Sequence, residues 1–564
     1  MALATPSFEE SSKQIVREFL HSVVVVDDRA TLGIDNKVDD ATVSILETPS
    51  RKTKVVASHF TAEVVVKRDV KIQEKISERD IADLDAKLLI DTFAELGLVC
   101  AVLKPINDED GLEEKTNHAT HKSDILILDW QIGDIEENAG DIAISIIKKI
   151  LKSDSKDRIR LIAIYTSNPD LGAIVARVKD VLNTESEESV VKDYNISRGS
   201  IQIVIYQKSG GTNQIAADRV VSENDLPERL IGDFTELTKG LLSNVALRSL
   251  GALRENTHRI LNKFNKKLDP SYVTHRVLIN PPSEAEIHPI PLIASELLDI
   301  LEDCGINTLV SSDYLEKWLD QQISIGLSFE HKVGNLTHED VLPLVKELLN
   351  QGVDNQLSYT TAKEPWNQKI KNISNKKKDK VSFLTGLLSI EAIDPQESDK
   401  DFALLTTIKS KYKSPNPLLT LGSIVVDESQ GEIKKYFLCI QPLCDSVRLS
   451  DKRNFSFIPL NIPPAGNPDK FDFVVKDKGD YVQLLTDLRA YNTLMIEFDP
   501  RGNGEILAED SDDDWFFYGE GDRKLRWIAD LKFPHAQRII TQYSELLGRV
   551  GLTESDWLRR MSGK

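Results

Sequence analysis

The sequence predicts an α/β protein with an N-terminal doubly wound parallel sheet that carries insertions. A helical region and a C-terminal α+β domain with a mainly antiparallel sheet are predicted to follow. The parallel sheet is indicated by four apolar runs of strand length with helical periodicity between them. The antiparallel sheet is indicated by short strand-like runs separated by turns between residues 416 and 530.

Each of the four apolar runs ends in a residue that can contact a phosphate or a metal ion. A nearly continuous apolar run is typical of a parallel strand that is buried on both faces. Sites in open α/β sheets form where the carboxyl ends of the strands meet, so we expect the terminal polar residues to lie together. The runs are Val23–Asp28, Ile125–Asp129, Leu161–Thr166 and Ile201–Lys208, and the expected site residues are Asp27, Asp28, Asp129, Thr166 and Lys208.

The segments between these runs predict the remaining elements of the sheet domain. Apolar residues at helical spacing predict helices, and one further apolar run predicts a strand. Polar stretches are expected to be loops, and residues 29–75 are expected to be an inserted segment with a hairpin near Val64–Ile72. The helices are predicted over 8–21, 80–96, 139–152 and 170–183, the strand over 98–103, and the loops over 104–123 and 184–198.

The middle of the chain is predicted to be helical. Apolar residues recur at intervals of three and four residues over residues 233–267. This spacing predicts one long helix that ends at the Asp269–Pro270 step. This pattern fits a core helix, a dimer helix or a signalling linker. Three further helices are predicted at 291–301, 312–323 and 337–349, and residues 351–403 are expected to form a helical hairpin with a loop.

The C-terminal part predicts five strands and two closing helices. The segment Asp427–Gly431 suits the connection of a hairpin between the first two strands. The strands are predicted at 418–426, 435–440, 471–475, 481–485 and 493–498, and the helices at 534–548 and 554–561. We therefore predict domains at 1–225, with a helical linker at 226–275, a mainly helical region at 276–415 and an α+β domain at 416–564.

Composition restricts the class of protein. The chain has 564 residues, of which 40% are apolar and 28% charged, as in globular proteins. Its net charge of −20 argues against broad nucleic-acid binding, which requires a basic surface. Four cysteines are too few for a disulfide scaffold, and no apolar run reaches the length of a membrane span. The N-terminus lacks the pattern of a signal peptide, so we expect a cytoplasmic protein without a membrane or nucleic-acid partner.

The four runs resemble the receiver domain of two-component response regulators, which has a CheY-like (flavodoxin-like) fold. That family has an acidic pair after its first strand, a phosphoacceptor aspartate after the third, Thr or Ser after the fourth and Lys after the fifth. Asp27 and Asp28, Asp129, Thr166 and Lys208 match these positions in order. The resemblance covers residues 1–225.

The resemblance implies a Mg²⁺ site and an aspartyl phosphate. Clustered carboxylates repel one another unless a cation is present, and a set of oxygen ligands suits Mg²⁺. Asp27, Asp28, Asp129 and the backbone carbonyl of Gln131 would hold the ion. Asp129 would be the nucleophile, Lys208 would offset the phosphoryl charge, and Thr166 would donate its hydroxyl to the phosphoryl group.

Several features depart from the family pattern. The distance from Asp28 to Asp129 is long, which requires the insertion at 29–75, and Thr166 is also far from Lys208 in sequence. Trp130 is a bulky neighbour of the acceptor and is expected to slow access or hydrolysis. Lys208 is followed by Ser209 where the family usually has proline.

The resemblance implies a response regulator that is not itself an enzyme and that is phosphorylated by a partner histidine kinase. The layout is also similar to large receiver proteins of Detocs anti-phage systems, in which the DtcB-type member is thought to act as a phosphate sink. A second response regulator and a second copy of this chain are further candidate partners. Two alternatives remain open at this stage: a receiver-gated effector enzyme, such as a nuclease, in residues 276–564, and a scaffold that works without phosphorylation.

Overall fold

A computed structural model of the chain shows two compact units, residues 1–321 and 322–564. No helix in the described part of the chain is long and apolar enough to cross a membrane. The predicted hairpin at Val64–Ile72 lies outside that part. The structure describes residues 6–32, 83–105, 111–133, 140–153, 158–183, 188–209, 216–280, 282–286, 288–330, 332, 337–352, 377–390, 393–412, 416–428, 434–464, 470–500, 504–511, 514–521, 523–547 and 556–561.

The first unit alternates strands and helices and then becomes helical. In chain order its elements are α1 (Phe8–Phe19), β1 (Ser22–Val26), β2 (Ala30–Thr31), β3 (Leu84–Asp85), α2 (Ala86–Glu95), β4 (Val99–Leu103), α3 (Leu112–Thr120), β5 (Ile125–Leu128), α4 (Asp141–Ser153), β6 (Arg160–Thr166), α5 (Leu171–Leu182), β7 (Val190–Lys192), β8 (Asn195–Arg198), β9 (Ile201–Lys208), β10 (Val220–Val221), α6 (Leu226–Thr238), α7 (Leu241–Lys263), α8 (Asp269–Leu278), α9 (Pro289–Asp303) and α10 (Ser312–Ser324).

A parallel sheet forms the centre of this unit, as predicted. Its strands follow the order β4-β1-β5-β6-β9, with β8 and β7 added antiparallel beyond β9 and β10 pairing parallel to β9. The order changes direction at β1, between β4 and β5, and this is the kind of switch point beside which α/β sheets form their sites. Every residue of β5 and β6 is buried, which explains the apolar runs Ile125–Leu128 and Leu161–Ile164.

Both faces of the sheet are covered by apolar cores. One face packs against α1, α2 and α6, and the other against α4 and α5. Helix α6 contributes Leu226, Leu230 and Phe234 to the first core, so this part of the predicted linker is core structure. Helix α7 adds Leu247 to the same core.

Two predicted loops of this unit contain regular structure. Helix α3 lies within the loop predicted at 104–123, and strands β7 and β8 form a hairpin within the loop predicted at 184–198. Helix α3 has few apolar residues, so the sequence shows no helical apolar pattern there. It is held by tertiary packing, in which Thr116 and Thr120 are buried. The hairpin turns at Asp193 and Tyr194, both with positive φ, instead of the more recognisable Asn-Gly pair.

The single long helix predicted at 233–267 is wrong. The chain forms α6 and α7, which are separated at Lys239 and Gly240, where the backbone is extended. Pro270 lies in the first turn of α8 and does not end a helix there. Proline suits this position because its missing N–H would have no intrahelical partner. The predicted helices at 291–301 and 312–323 are confirmed as α9 and α10.

The second unit begins with helices and continues as a sheet. Its elements are α11 (His338–Gln351), α12 (Lys377–Leu388), α13 (Pro395–Thr407), β11 (Ser423–Asp427), β12 (Lys435–Cys439), β13 (Arg453–Asn461), β14 (Phe473–Asp477), β15 (Asp480–Thr486), β16 (Leu494–Phe498), β17 (Glu509–Ser511), β18 (Asp514–Gly519), β19 (Arg523–Asp530), α14 (Phe533–Leu547) and α15 (Asp556–Met561).

The sheet of the second unit is antiparallel and curves towards closure. Its order is β12-β11-β19-β18-β16-β13-β15-β14, and β12 also pairs with β13. One core lies on the face covered by α14, and a second, rich in phenylalanine, lies on the other face. The predicted class of a mainly antiparallel C-terminal sheet is confirmed.

The five C-terminal strands predicted from sequence are present, but others were missed. Strand β13 contains Pro459, which weakens the sequence signal of an inner strand. Strands β18 and β19 contain charged residues, which weaken their strand signal in the sequence. Arg526 of β19 is nevertheless buried, because it forms ion pairs that the sequence does not reveal. The predicted first hairpin is confirmed by the antiparallel pairing of β11 and β12, while residues 429–433 of its connection lie outside the described residues.

Candidate functional site

Strand register brings two of the predicted aspartates together. Val26 of β1 lies opposite Leu128 of β5, so Asp27 and Asp129 follow neighbouring parallel strands at the same sheet edge. The Asp129 N–H donates to the Val26 carbonyl at 2.9 Å, which extends the pairing of the two strands to the acceptor residue. The backbone pairing of β1 with β5 therefore places both aspartates at the same sheet edge, independently of their side-chain contacts.

Lys208 joins these two carboxylates from the end of β9. Its Nζ donates to Asp27 Oδ2 at 2.7 Å and to Asp129 Oδ2 at 3.2 Å. The three side chains are 2–4% exposed, so the charges are largely removed from water. Buried charges of this kind require pairing, and one ammonium between two carboxylates leaves the group with excess negative charge.

Asp28 supplies the third carboxylate of the group. Its Oδ2 accepts a hydrogen bond of 2.7 Å from the Gly133 N–H, while its Oδ1 is buried and has no hydrogen-bond partner within the described residues. Asp27, Asp28 and Asp129 each offer an oxygen, and these oxygens lie within 4.8 Å of one another. The unpartnered oxygen and the excess negative charge both fit a divalent cation with oxygen ligands, such as Mg²⁺.

Burial and charge shift the pKa values of Asp27, Asp129 and Lys208. Burial raises the pKa of Asp129 to about 6, with Lys208 opposing the shift and Asp27 adding to it. Burial also raises the pKa of Asp27, and Lys208 offsets only part of this effect. Burial alone would lower the pKa of Lys208, but the two carboxylates outweigh it and raise that pKa. The lysine therefore stays protonated, and additional positive charge would favour the ionised forms of Asp27 and Asp129.

The other two predicted site residues lie beside the cluster. Thr166 ends β6, between β5 and β9, and its Oγ1 accepts a hydrogen bond of 3.2 Å from the Asn168 N–H. The Gln131 N–H approaches Asp129 Oδ1 at 3.4 Å. The structure places both residues at this sheet edge, while their roles towards a phosphoryl group and a metal ion remain predictions.

The side chain of Trp130 packs into the core. It is 2% exposed and belongs to the apolar cluster between the sheet and helices α4 and α5. The Arg177 guanidinium lies over its ring at 5.1 Å and forms an ion pair with Asp141 at 2.5 Å. Trp130 therefore packs in the core, and its expected effect on access to Asp129 or on hydrolysis stays a prediction.

Sequence reasoning missed two glycines that shape the site. Gly133 donates its N–H to Asp28, and Gly140 has φ +91° and contacts the Trp130 ring so closely that a Cβ at this position would overlap it. Both glycines follow the acceptor within eleven residues, but nothing in their spacing indicates a function. Only the folded structure shows that one contacts Asp28 and the other lies against Trp130.

A comparison with protein families matches residues 19–213 to the family model described as a response receiver domain. The match supports a receiver domain in this part of the chain. It contains Asp27, Asp28, Asp129, Thr166 and Lys208 and ends before α6, the helix that covers the sheet after β9. It covers about a third of the chain, and a comparison with curated proteins found no match.

Proposed function

We propose that this protein is a response regulator that accepts a phosphoryl group on Asp129 from the phosphohistidine of a partner histidine kinase. The observation that carries the proposal is the buried group formed by Asp129, its two acidic neighbours and Lys208 within a receiver-like sheet. A buried carboxylate that contacts a lysine and lies close to two further carboxylates, where a cation could bind, suits a nucleophile that receives a negatively charged group.

The acidic residues define where a cation would bind. Asp27, Asp28, Asp129 and the Gln131 carbonyl would hold Mg²⁺, which would offset the negative charge of the phosphoryl oxygens when bound. The Asp28 Oδ1, which has no hydrogen-bond partner within the described residues, supports this assignment. The proposed reaction is therefore expected to depend on a divalent cation.

Asp129 carries out the chemical step in this proposal. A carboxylate oxygen of Asp129 forms a bond to phosphorus as the bond from phosphorus to the kinase imidazole breaks, and the imidazole nitrogen keeps the electron pair. Lys208 stays protonated and stabilises negative charge on the transferred group. Thr166 donates its hydroxyl to the bound phosphoryl group, and this contact reorganises the adjoining loops as a two-state switch.

We further propose that the second unit binds a partner or supports phosphate buffering and has no catalytic activity of its own. This part of the proposal extends the resemblance to the phosphate-sink regulators of Detocs anti-phage systems. In such a role Asp129 would compete with a second response regulator for phosphoryl groups from one kinase. The test is transfer to the second regulator, which wild-type protein should reduce and Asp129→Asn should not.

The acceptor assignment is tested by phosphorylation of the full chain with acetyl phosphate and Mg²⁺. Wild-type protein should form an adduct that hydroxylamine removes, and Asp129→Asn should form none because the amide is not a nucleophile. Asp180→Asn is the matched control, because Asp180 is exposed on α5 and outside the site. An equal yield of adduct in Asp129→Asn would reject the assignment.

A further inference from the structure

Gln207 is a polar residue in the buried part of β9, and its side-chain carbonyl has no donor. It is 1% exposed, and its Oε1 has no hydrogen-bond partner within the described residues. A buried acceptor without a donor costs free energy, so each one in a native protein calls for an explanation. Lys208 follows directly in the sequence, so the unsatisfied atom belongs to a residue next to the proposed site.

Thr166 lies beside Gln207 on the neighbouring strand. The two residues form the last pair in the register between β6 and β9. Ile164 and Ile205, two residues earlier on each strand, both belong to the core between the sheet and helices α4 and α5. Side chains alternate between the faces of a strand, so Thr166 and Gln207 share this face. Neighbouring strands lie about 4.8 Å apart, a distance that a glutamine side chain spans.

The hydroxyl of Thr166 has a hydrogen to donate. Thr166 is fully buried, and its Oγ1 accepts a hydrogen bond from the Asn168 N–H. A hydroxyl that accepts a bond can still donate its own hydrogen, and the contacts within the described residues include no acceptor for it. A buried donor and a buried acceptor therefore stand at paired positions, and rotation of their side chains is sufficient to join them.

We propose that Gln207 is a positioning residue that holds the Thr166 hydroxyl while Asp129 is unphosphorylated. This inference rests on the proposed function and adds a second position for the hydroxyl. In the closed arrangement Thr166 donates to Gln207 Oε1, and in the open arrangement, which the structure shows, that oxygen has no donor. Phosphoryl oxygens are charged and accept stronger hydrogen bonds than an amide carbonyl, so the hydroxyl moves from Gln207 to the phosphoryl group once Asp129 is phosphorylated.

The first test measures the affinity of the full chain for beryllofluoride in the presence of Mg²⁺, because this anion takes the place of a phosphoryl group on an aspartate. Gln207→Leu should bind it about fivefold more tightly than wild type, since one competing hydrogen bond is lost. In a Thr166→Val background the same change should have no effect, because the hydroxyl that it releases is missing. Gln202→Leu is the matched control: Gln202 is buried at the other end of β9, where it pairs with Leu161.

The outcomes separate the role of Gln207 from the proposed function. Unchanged or weaker affinity in Gln207→Leu, or an equal gain in the Thr166→Val background, rejects the role of Gln207 alone when wild-type protein binds beryllofluoride. A wild-type protein that binds none rejects the proposed function and the competition for the hydroxyl together.

The second test examines the closed arrangement by urea unfolding without a phosphodonor. Gln207→Leu and Thr166→Val each remove the same hydrogen bond, so their effects on the folding equilibrium constant should be coupled by about fivefold. Gln207→Met, which keeps the unbranched shape of glutamine, should give the same coupling and guards against a misfit of the branched leucine side chain. Strictly additive effects with both variants overturn the proposal.

Discussion

Lys208 is the residue on which the arrangement of the acidic site depends. Its single ammonium contacts carboxylates from two different strands, and all three groups are buried. Without it, Asp27 and Asp129 would repel each other in a region of low dielectric constant, and at least one of them would take up a proton. The lysine therefore stabilises the unphosphorylated fold as well as serving the proposed reaction.

Lys208→Ala should lower the free energy of unfolding in the absence of Mg²⁺ by about 3–5 kcal/mol, because it leaves buried carboxylates without their counter-ion. Added Mg²⁺ should recover part of this loss. The variant should still accept a phosphoryl group but fail to switch, which separates acceptance from signalling. Urea unfolding with and without Mg²⁺ measures the effect, with the exposed Lys192→Ala as control. Equal stability of both variants would count against the buried ion pairs.

At the scale of elements, the start of α4 packs closely against the residue that follows the acceptor. Gly140 precedes the helix with positive φ, and the Trp130 ring occupies the space beside its Cα. Arg177 of α5 covers the same ring and pairs with Asp141, the first residue of α4. Trp130, the residue after the acceptor, thereby contacts both helices on this face of the sheet.

Gly140→Ala should destabilise the protein by about 1–3 kcal/mol from backbone strain, with a further loss from displacement of Trp130. We also expect slower phosphorylation, because Trp130 is adjacent to Asp129. Gly232→Ala is the control: Gly232 is inside α6 with open space around it, so alanine should stabilise that helix by about 1 kcal/mol. Thermal unfolding and the acetyl phosphate reaction measure both effects. A Gly140→Ala protein as stable as wild type would show that the turn can rearrange.

A second buried charge group joins strands of the C-terminal sheet. Asp477 of β14 accepts hydrogen bonds from Lys434, from the Tyr436 hydroxyl at 2.8 Å and from Arg526 of β19 at 2.8 Å. Burial alone would raise the pKa of Asp477, but these hydrogen bonds outweigh it and hold the pKa below its ordinary value. The ionised form is therefore favoured in the folded state.

Because the pKa of Asp477 is lowered on folding, its contribution to stability is complete above the ordinary aspartate pKa of about 4 and is lost as the pH falls through the folded-state pKa. Asp477→Asn should cost about 3–5 kcal/mol at neutral pH by leaving Arg526 without its buried partner. It should also flatten the loss of stability between about pH 5 and pH 3. Urea unfolding across this pH range tests both, with exposed Asp480→Asn as control. An unchanged acid profile would contradict the assignment.

At the scale of the whole molecule, each unit has its own apolar cores. The two clusters of the parallel sheet lie within residues 1–321, and the two clusters of the antiparallel sheet lie within residues 322–564. A region with a complete core and internally paired strands contains what it needs to fold alone. The receiver-like sheet and its acidic site are therefore expected not to require the second unit.

The fragment 1–321 should unfold cooperatively and accept a phosphoryl group on Asp129 at a rate similar to the full chain. The fragment 322–564 should also unfold cooperatively but accept none. Circular dichroism melts and the acetyl phosphate reaction check both expectations. A fragment 1–321 without a cooperative transition would show that its cores depend on contacts with the remaining residues.

Much of the fold could be predicted because its signals are local. The apolar runs of β1, β5, β6 and β9 and the periodicity of α2, α4 and α5 identify these elements and place polar residues at the strand ends. Helix α3 and the β7–β8 hairpin could not be predicted, because their residues favour these conformations only through packing and an uncommon turn. Strands β13, β18 and β19 could not be predicted either. A proline in β13 and charged residues in β18 and β19 obscure the alternation of apolar and polar residues that indicates a strand.

The sequence by itself determined the fold class and the residues that end the parallel strands, because burial on both faces of a strand requires continuous apolar residues. Only the tertiary structure decided which of those residues touch. The approach of Lys208 to Asp27, the placement of Trp130 in the core and the pairing of β12 with β13 join positions that are distant along the chain or on separate elements. Such contacts follow from sheet order and helix packing, which arise from the whole chain and not from any local pattern.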